Sequence, residues 1–169
     1  MPPDGTTRGE IVARAPWLTP AYVGNAEASE RLWAGGYLHT GDVGVMRPDG
    51  YLRVVDRIKD VIKSGGEWVS SAEIEDLIGQ CEGVREAAVI AVKDDKWGER
   101  PLALVVRDGE ADGEPTDVAI KDRLKAVASA GGLPKFAVPD RILFVDRLPR
   151  TSVGKFDKKA LRDHYGDAG

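Results

Sequence analysis

The stretch VIKSGGEWVSSAEIEDLIGQC, Val61 to Cys81, decides the fold. Its two short apolar runs flank Ser64-Gly65-Gly66 and read as a tight hairpin, because paired glycines accept the positive φ that such a turn demands. Ser70, followed three residues later by Glu73, is a capping box that starts a helix. In that helix Ile74, Leu77, Ile78 and Cys81 fall at i, i+3, i+4 and i+7, one apolar stripe that needs a sheet to pack on. Cys81 on the stripe reads as a small buried hydrophobe.

Working outward, Glu86 to Val92, Leu102 to Arg107 and Arg141 to Val145 are rich in Val, Ile, Leu and Ala and supply the sheet. A second helix begins near Thr116, puts Ile120, Leu124, Val127 and Ala128 on one face and stops at Gly131-Gly132. A third covers Asp157 to Tyr165. From Ile58 the order is ββαββαβα, an α+β domain of a small sheet with helices expected on one side.

Upstream, Glu10 to Arg14 reads as a strand, Ala26 to Trp33 as a short helix, and Asp42 to Arg47 with Tyr51 to Val55 as a hairpin around Arg47-Pro48-Asp49-Gly50. These mostly β pieces carry too little apolar area for a core of their own. The division expected is residues 1–57, the incomplete tail of a larger N-terminal domain, and 58–169, a small C-terminal domain. An orphan strand at Glu10 to Arg14 predicts exposed edges, and with them a homodimer or a strand-swapped assembly.

Composition removes several function classes. With 42% hydrophobic and 31% charged residues over 169, the chain suits globular protein. A formal net charge of -4 argues against general attraction to nucleic acid, although basic residues gather between Arg141 and Lys159. The single cysteine rules out an internal disulfide and a cysteine-rich zinc site and fits a reducing, cytoplasmic setting. His39 and His164 lack partners at metal-ligand spacing, so no protein metal site is expected. No run approaches the roughly 18 apolar residues of a membrane span, and the N-terminal residues lack a signal-peptide core. A soluble protein is expected, with a peripheral membrane contact left open.

Three separated clusters carry a resemblance: Tyr37-Leu-His-Thr-Gly-Asp42; Asp56-Arg-Ile-Lys-Asp60 running into Lys63-Ser-Gly-Gly-Glu-Trp68; and Pro149-Arg-Thr-Ser-Val-Gly-Lys155. In that order they resemble the adenylate-forming superfamily of acyl-CoA synthetases, luciferases and nonribosomal adenylation domains. Gly9-Glu-Ile-Val-Ala-Arg14 looks like an upstream motif of the same family, and the Gly-Gly-Glu-Trp core with Trp97-Gly-Glu-Arg-Pro101 is most similar to the fatty-acyl-CoA synthetase branch. The domain at 58–169 is then similar to that family's mobile lid.

The resemblance implies roles for particular residues. Asp42 matches the carboxylate that accepts both ribose hydroxyls of the nucleotide, and Arg57 matches an arginine that also contacts the ribose. Lys59 falls where the family places its hinge. The Gly65-Gly66 loop corresponds to a lining of the pantetheine path, and Trp68 to a candidate gate at the mouth of the acyl tunnel. Lys155 matches the adenylation lysine, whose ammonium offsets charge at the α-phosphate as pyrophosphate leaves. Glu99 resembles a recurrent position for which a salt bridge or a loop hydrogen bond is the physical role available. Taken singly, each motif also reads as a turn, a solvated charge run or a surface lysine.

The implied reaction uses ATP, Mg2+ and coenzyme A to activate a fatty acid as acyl-adenylate and then form acyl-CoA. The phosphate loop, the adenine segment and the acyl tunnel belong upstream in the family pattern, expected in cis, so this chain alone is expected to be inactive. An aryl-CoA ligase or a carrier-protein adenylation domain is the near alternative. A non-catalytic binding or regulatory module docking through Arg141 to Lys159 is the alternative of another class.

Overall fold

The computed structural model describes residues 1–109 and 113–166. Two compact units make up the chain, Met1–Lys59 and Asp60–Gly169.

The first unit is a three-stranded antiparallel sheet in the order β1 (Arg8–Ala13), β2 (Leu38–Met46), β3 (Leu52–Arg57), with a short helix α1 (Ala26–Leu32) between β1 and β2. Asn25 caps α1, its side chain accepting from the Ala28 N–H. The β2–β3 turn closes through Arg47-Pro48-Asp49-Gly50, where the Gly50 N–H donates to the Arg47 carbonyl at 2.9 Å. Val43, Val45 and Val55 are buried in the sheet, with Leu32 from α1. The expected orphan strand is therefore paired: β1 runs along β2 from Arg8↔Val45 to Ala13↔Leu38. β1 is paired on its β2 side alone, so β1 and β3 are the two edges of this sheet.

The second unit has the expected order: β4 (Ile62–Ser64), β5 (Glu67–Val69), α2 (Ser71–Gly79), β6 (Val84–Asp94), β7 (Gly98–Arg107), α3 (Asp117–Ser129), β8 (Arg141–Phe144), α4 (Lys158–Tyr165). Each helix starts on a side-chain cap: Ser70, Thr116 and Asp157 accept from the N–H of Glu73, Ala119 and Ala160. β7 is the organising strand, antiparallel to β4 and β6 and parallel to β8. It begins four residues before the expected Leu102, because Gly98 to Pro101 pair with Asp94 to Ala91 across a turn in which the Asp94 carboxylate accepts from the Lys96 and Trp97 N–H groups.

The helices do not share one side. Ile74 and Ile78 of α2 and Ile120, Leu124 and Ala128 of α3 pack with Ala87, Val89, Ala103 and Val105. Leu161 of α4 packs with the alternate residues Ala88, Ile90, Leu102, Leu104 and Val106. The physical reason lies in β6 and β7, whose runs are apolar at consecutive positions; a strand alternates faces, so both faces need a cover. Two ion pairs then pin α4. Lys158 reaches Glu75 at 2.7 Å and Ser71 Oγ at 2.8 Å on α2, and Arg162 reaches Asp60 at 3.0 Å. The second pair joins α4 to the first residue of the unit.

Candidate functional site

Asp42 and Arg57 are brought together. They are register partners at the end of the β2–β3 ladder, and Arg57 Nε lies 3.4 Å from Asp42 Oδ1. A register shift between Val43 and Gly44 precedes them, the irregularity that re-aims side chains at a strand end. The backbone before Asp42 is fixed from three directions. Thr40 Oγ1 donates to the Ile11 carbonyl and accepts from the Asp42 N–H, the Gly41 carbonyl accepts from the Ile58 N–H at 2.9 Å, and the Gly41 N–H donates to Glu10 at 3.3 Å. Asp42 and Arg57 both keep partly exposed side chains, 32% and 54%, so their polar ends face solvent rather than a core. Lys59 lines a shallow cleft with Thr40, Gly41, Arg57 and Ile58.

His39 beside them has partners after all. Nδ1 faces Glu10 Oε2 at 2.6 Å and Nε2 faces the Ala34 carbonyl at 3.0 Å. Both neighbours are acceptors, so only the doubly protonated ring satisfies them. The Glu10 hydrogen bond foremost, then the Ala34 carbonyl, raise the His39 pKa above its ordinary value. Glu10, 29 residues away in sequence, gave no local signal.

Gly65 and Gly66 form the two-residue β4–β5 turn with φ of 61° and 87°, both positive as a type I′ turn requires. Gly65 is needed for a second reason: a Cβ there would lie 2.9 Å from the Trp97 ring, and the Gly65 N–H donates to the Trp97 carbonyl at 2.8 Å. Glu99 takes the loop hydrogen bond, accepting from the Lys63 N–H at 2.7 Å. Trp68 is half-buried on β5, opposite Lys63.

Arg100, within the motif Trp97 to Pro101, is the residue sequence reasoning left without a role. It is 9% exposed near the start of β7, between half-buried Glu99 and buried Pro101. Nε donates to Asp140 at 2.7 Å, Nη1 to Ser64 Oγ at 3.4 Å and to the Phe136 carbonyl, and Nη2 to the Val138 carbonyl at 3.1 Å. One guanidinium thus fastens the loop at Phe136 to Asp140 to the strand that enters the Gly65-Gly66 turn. The available signal was a charge leading directly into the apolar run Pro101 to Val106, where a buried charge has to be paired.

Lys155 stands on a different hairpin, between Pro149 and Asp157. Arg150 and Phe156 form a bridge, the Thr151 N–H donates to the Lys155 carbonyl at 2.8 Å, and the Gly154 N–H donates to Thr151 at 2.9 Å. Lys155 is exposed, and its ammonium makes no hydrogen bond or ion pair with the described residues. Among the described residues no three His, Cys, Asp or Glu side chains converge as a metal site.

The profile for the AMP-binding enzyme C-terminal domain matches residues 73–155. The chain is 43% identical over 98% of its length to a long-chain-fatty-acid--CoA ligase of Thermus thermophilus, covering 29% of that protein. It is 40% identical over 99% of its length to a 3-methylmercaptopropionyl-CoA ligase of Ruegeria lacuscaerulensis, covering 30% of it. The chain therefore spans under a third of the curated relatives it matches. ATP-bound MatB from Rhodopseudomonas palustris superposes with a TM-score of 0.82 at 33% identity, over 98% of this chain and 32% of that one. With motif order, profile and fold in agreement, the chain belongs to the AMP-binding enzyme family and carries that family's C-terminal domain.

Proposed function

We propose that this chain works as the C-terminal part of an ATP-dependent acyl-CoA synthetase, which activates a fatty acid as its acyl-adenylate and passes the acyl group to coenzyme A. The observation that carries the reading is the Asp42–Arg57 pair: a carboxylate and a guanidinium 3.4 Å apart, partly exposed, beside the cleft that ends at Lys59. A carboxylate can accept from both hydroxyls of a ribose while the adjacent guanidinium donates, which suits a nucleotide. Residues 1–57 are assigned to the tail of the larger nucleotide-binding domain and 58–169 to the mobile lid.

Lys155 is assigned to the first half-reaction. Its ammonium, without a partner among the described residues and offered by a closed hairpin, offsets charge on the α-phosphate as pyrophosphate departs. Such a lysine obstructs the second half-reaction, so rotation about Lys59 withdraws it and brings the Gly65-Gly66 loop to the pantetheine arm. Gly66, where a Cβ would meet nothing within 4 Å, leaves room for that approach. Trp68 is the candidate acyl gate. A cleft of about 560 Å³ on the same unit, lined by Arg100, Lys121, Lys125, Lys135 and Asp140 among others, has more cations than carboxylates and suits the phosphates of coenzyme A. With no carboxylate cluster in the described residues, Mg2+ is assigned to the nucleotide's phosphates rather than to this chain. The chain alone is expected to be inactive, and a cytoplasmic setting fits its single cysteine.

The fatty-acid class draws on the Gly-Gly-Glu-Trp stretch and the Thermus thermophilus relative; the Ruegeria lacuscaerulensis relative, nearly as similar, favours a short acid as the second reading. Lys155→Ala in the complete enzyme carrying this chain, assayed with acids of graded length, tests both. Adenylation should fall by about 100- to 1000-fold while thioester formation from pre-made acyl-adenylate survives. Equal loss of the two half-reactions would sink the assignment, and a maximum at short acids would replace the fatty-acid class.

A further inference from the structure

We propose that Arg150 is a positioning residue for Lys155, shaping the hairpin from inside and thereby fixing where the ammonium is presented; the functional weight of this rests on the role given to Lys155 above. Arg150 Nη1 donates to the Gly154 carbonyl at 2.6 Å. That carbonyl belongs to the peptide joining Gly154 to Lys155, so its orientation sets the direction in which the Lys155 side chain leaves the backbone. Gly154 has φ of 80°, and glycine without restraint samples both signs of φ, so the peptide needs an outside hold.

The guanidinium is itself held on three sides. Nη2 donates to Glu86 Oε1 of β6 at 2.8 Å, and its carbon sits 4.6 Å from the centre of the Phe156 ring. Loop peptide, sheet strand and ring are thus joined through one planar group, a geometry open to arginine and closed to lysine, whose point charge cannot meet carbonyl and carboxylate in a fixed fork. Because the Lys155 ammonium has no partner among the described residues, backbone direction is what aims it.

A merely structural ion pair predicts something different. Arg150 and Glu86 side chains are 47% and 27% exposed, and exposed pairs contribute little to stability. Arg150→Gln should therefore leave global unfolding almost unmoved while loosening two residues. In the 15N-labelled chain, the heteronuclear NOE at Gly154 and Lys155 should drop below that of Phe156 and Asp157, and the Thr151 and Gly154 amides should exchange at least about tenfold faster, as expected of local opening. Arg150→Lys should fail to restore either, Glu86→Gln should give a smaller change of the same kind, and the β6 and β7 amides should not respond. Unchanged order at Gly154 and Lys155 in Arg150→Gln, or in Glu86→Gln if the first variant does not fold, overturns the inference. In the complete enzyme, Arg150→Gln should lower the adenylation kcat by about 10- to 100-fold with KM for ATP nearly constant, the signature of misplacement rather than lost binding. A loosened hairpin with undiminished adenylation would overturn the positioning role of Arg150, whereas undiminished adenylation in Lys155→Ala would overturn the role given to Lys155 and leave the Arg150 contacts standing.

Discussion

His39 shows how much a partner distant in sequence can change a reading. Glu10 and Ala34 both accept from its ring, so the folded unit favours imidazolium and its pKa lies above the ordinary 6.5. The stabilisation is fully present below pH 6.5 and is lost as pH rises through the higher folded value. An NMR titration should place the His39 midpoint above 6.5, and Glu10→Gln should lower it; an unmoved midpoint would show that Glu10 is not the cause. Arg100 is a second such case. Arg100→Ala should destabilise the second unit by about 1 to 3 kcal/mol in urea unfolding, because part-buried carbonyls at Phe136 and Val138 lose their donors, and Arg100→Lys should recover little. Asp140→Ala should cost under about 1 kcal/mol, its carboxylate being 66% exposed. Neither network was legible in the sequence, since the partners of Arg100 lie 36 to 40 residues away and no local pattern encodes them. Asp42, Arg57 and Lys155 stood out through motif order, and the Asp42–Arg57 pairing needed the strand register to be seen.

At the scale of elements, far more was legible. Ser70, Thr116 and Asp157 cap helices where the chain pattern placed starts, and the hairpin at Gly65-Gly66 follows from two residues that tolerate positive φ. The placement of α4 was misjudged, although the unbroken apolar runs of β6 and β7 already implied a cover on each face. The turn itself offers a paired measurement. Gly66→Ala carries the strain of a left-handed alanine, about 1 to 2 kcal/mol, whereas Gly65→Ala adds a Cβ pressed against Trp97. Urea midpoints should therefore rank Gly65→Ala as the more destabilised by about 1 kcal/mol or more. Equal losses would mean that Trp97 yields freely and that its contact does not hold the turn.

For the whole molecule, the two units differ in how much apolar surface they remove from water. Among the described residues Met1–Lys59 buries Leu32, Val43, Val45 and Val55, while Asp60–Gly169 buries two clusters on opposite faces of a five-stranded sheet. Burial is the main favourable term, so the first unit should open more readily. Native-state hydrogen exchange on this chain should find the β2 amides less protected than those of β6 and β7, by about tenfold or more. Equal protection would mean that both units unfold as one cooperative block. The Asp60–Arg162 pair bears on the same scale. It locks the residue that follows Lys59 to the helix that follows Lys155, and Lys158 bolts that helix to α2. With the hinge proposed at Lys59 and the role proposed for Lys155, the two would be parts of a single crank with little backlash: a turn of the backbone at one end would arrive at the other almost undiminished, and a slackened bolt would spend that stroke inside the proposed lid.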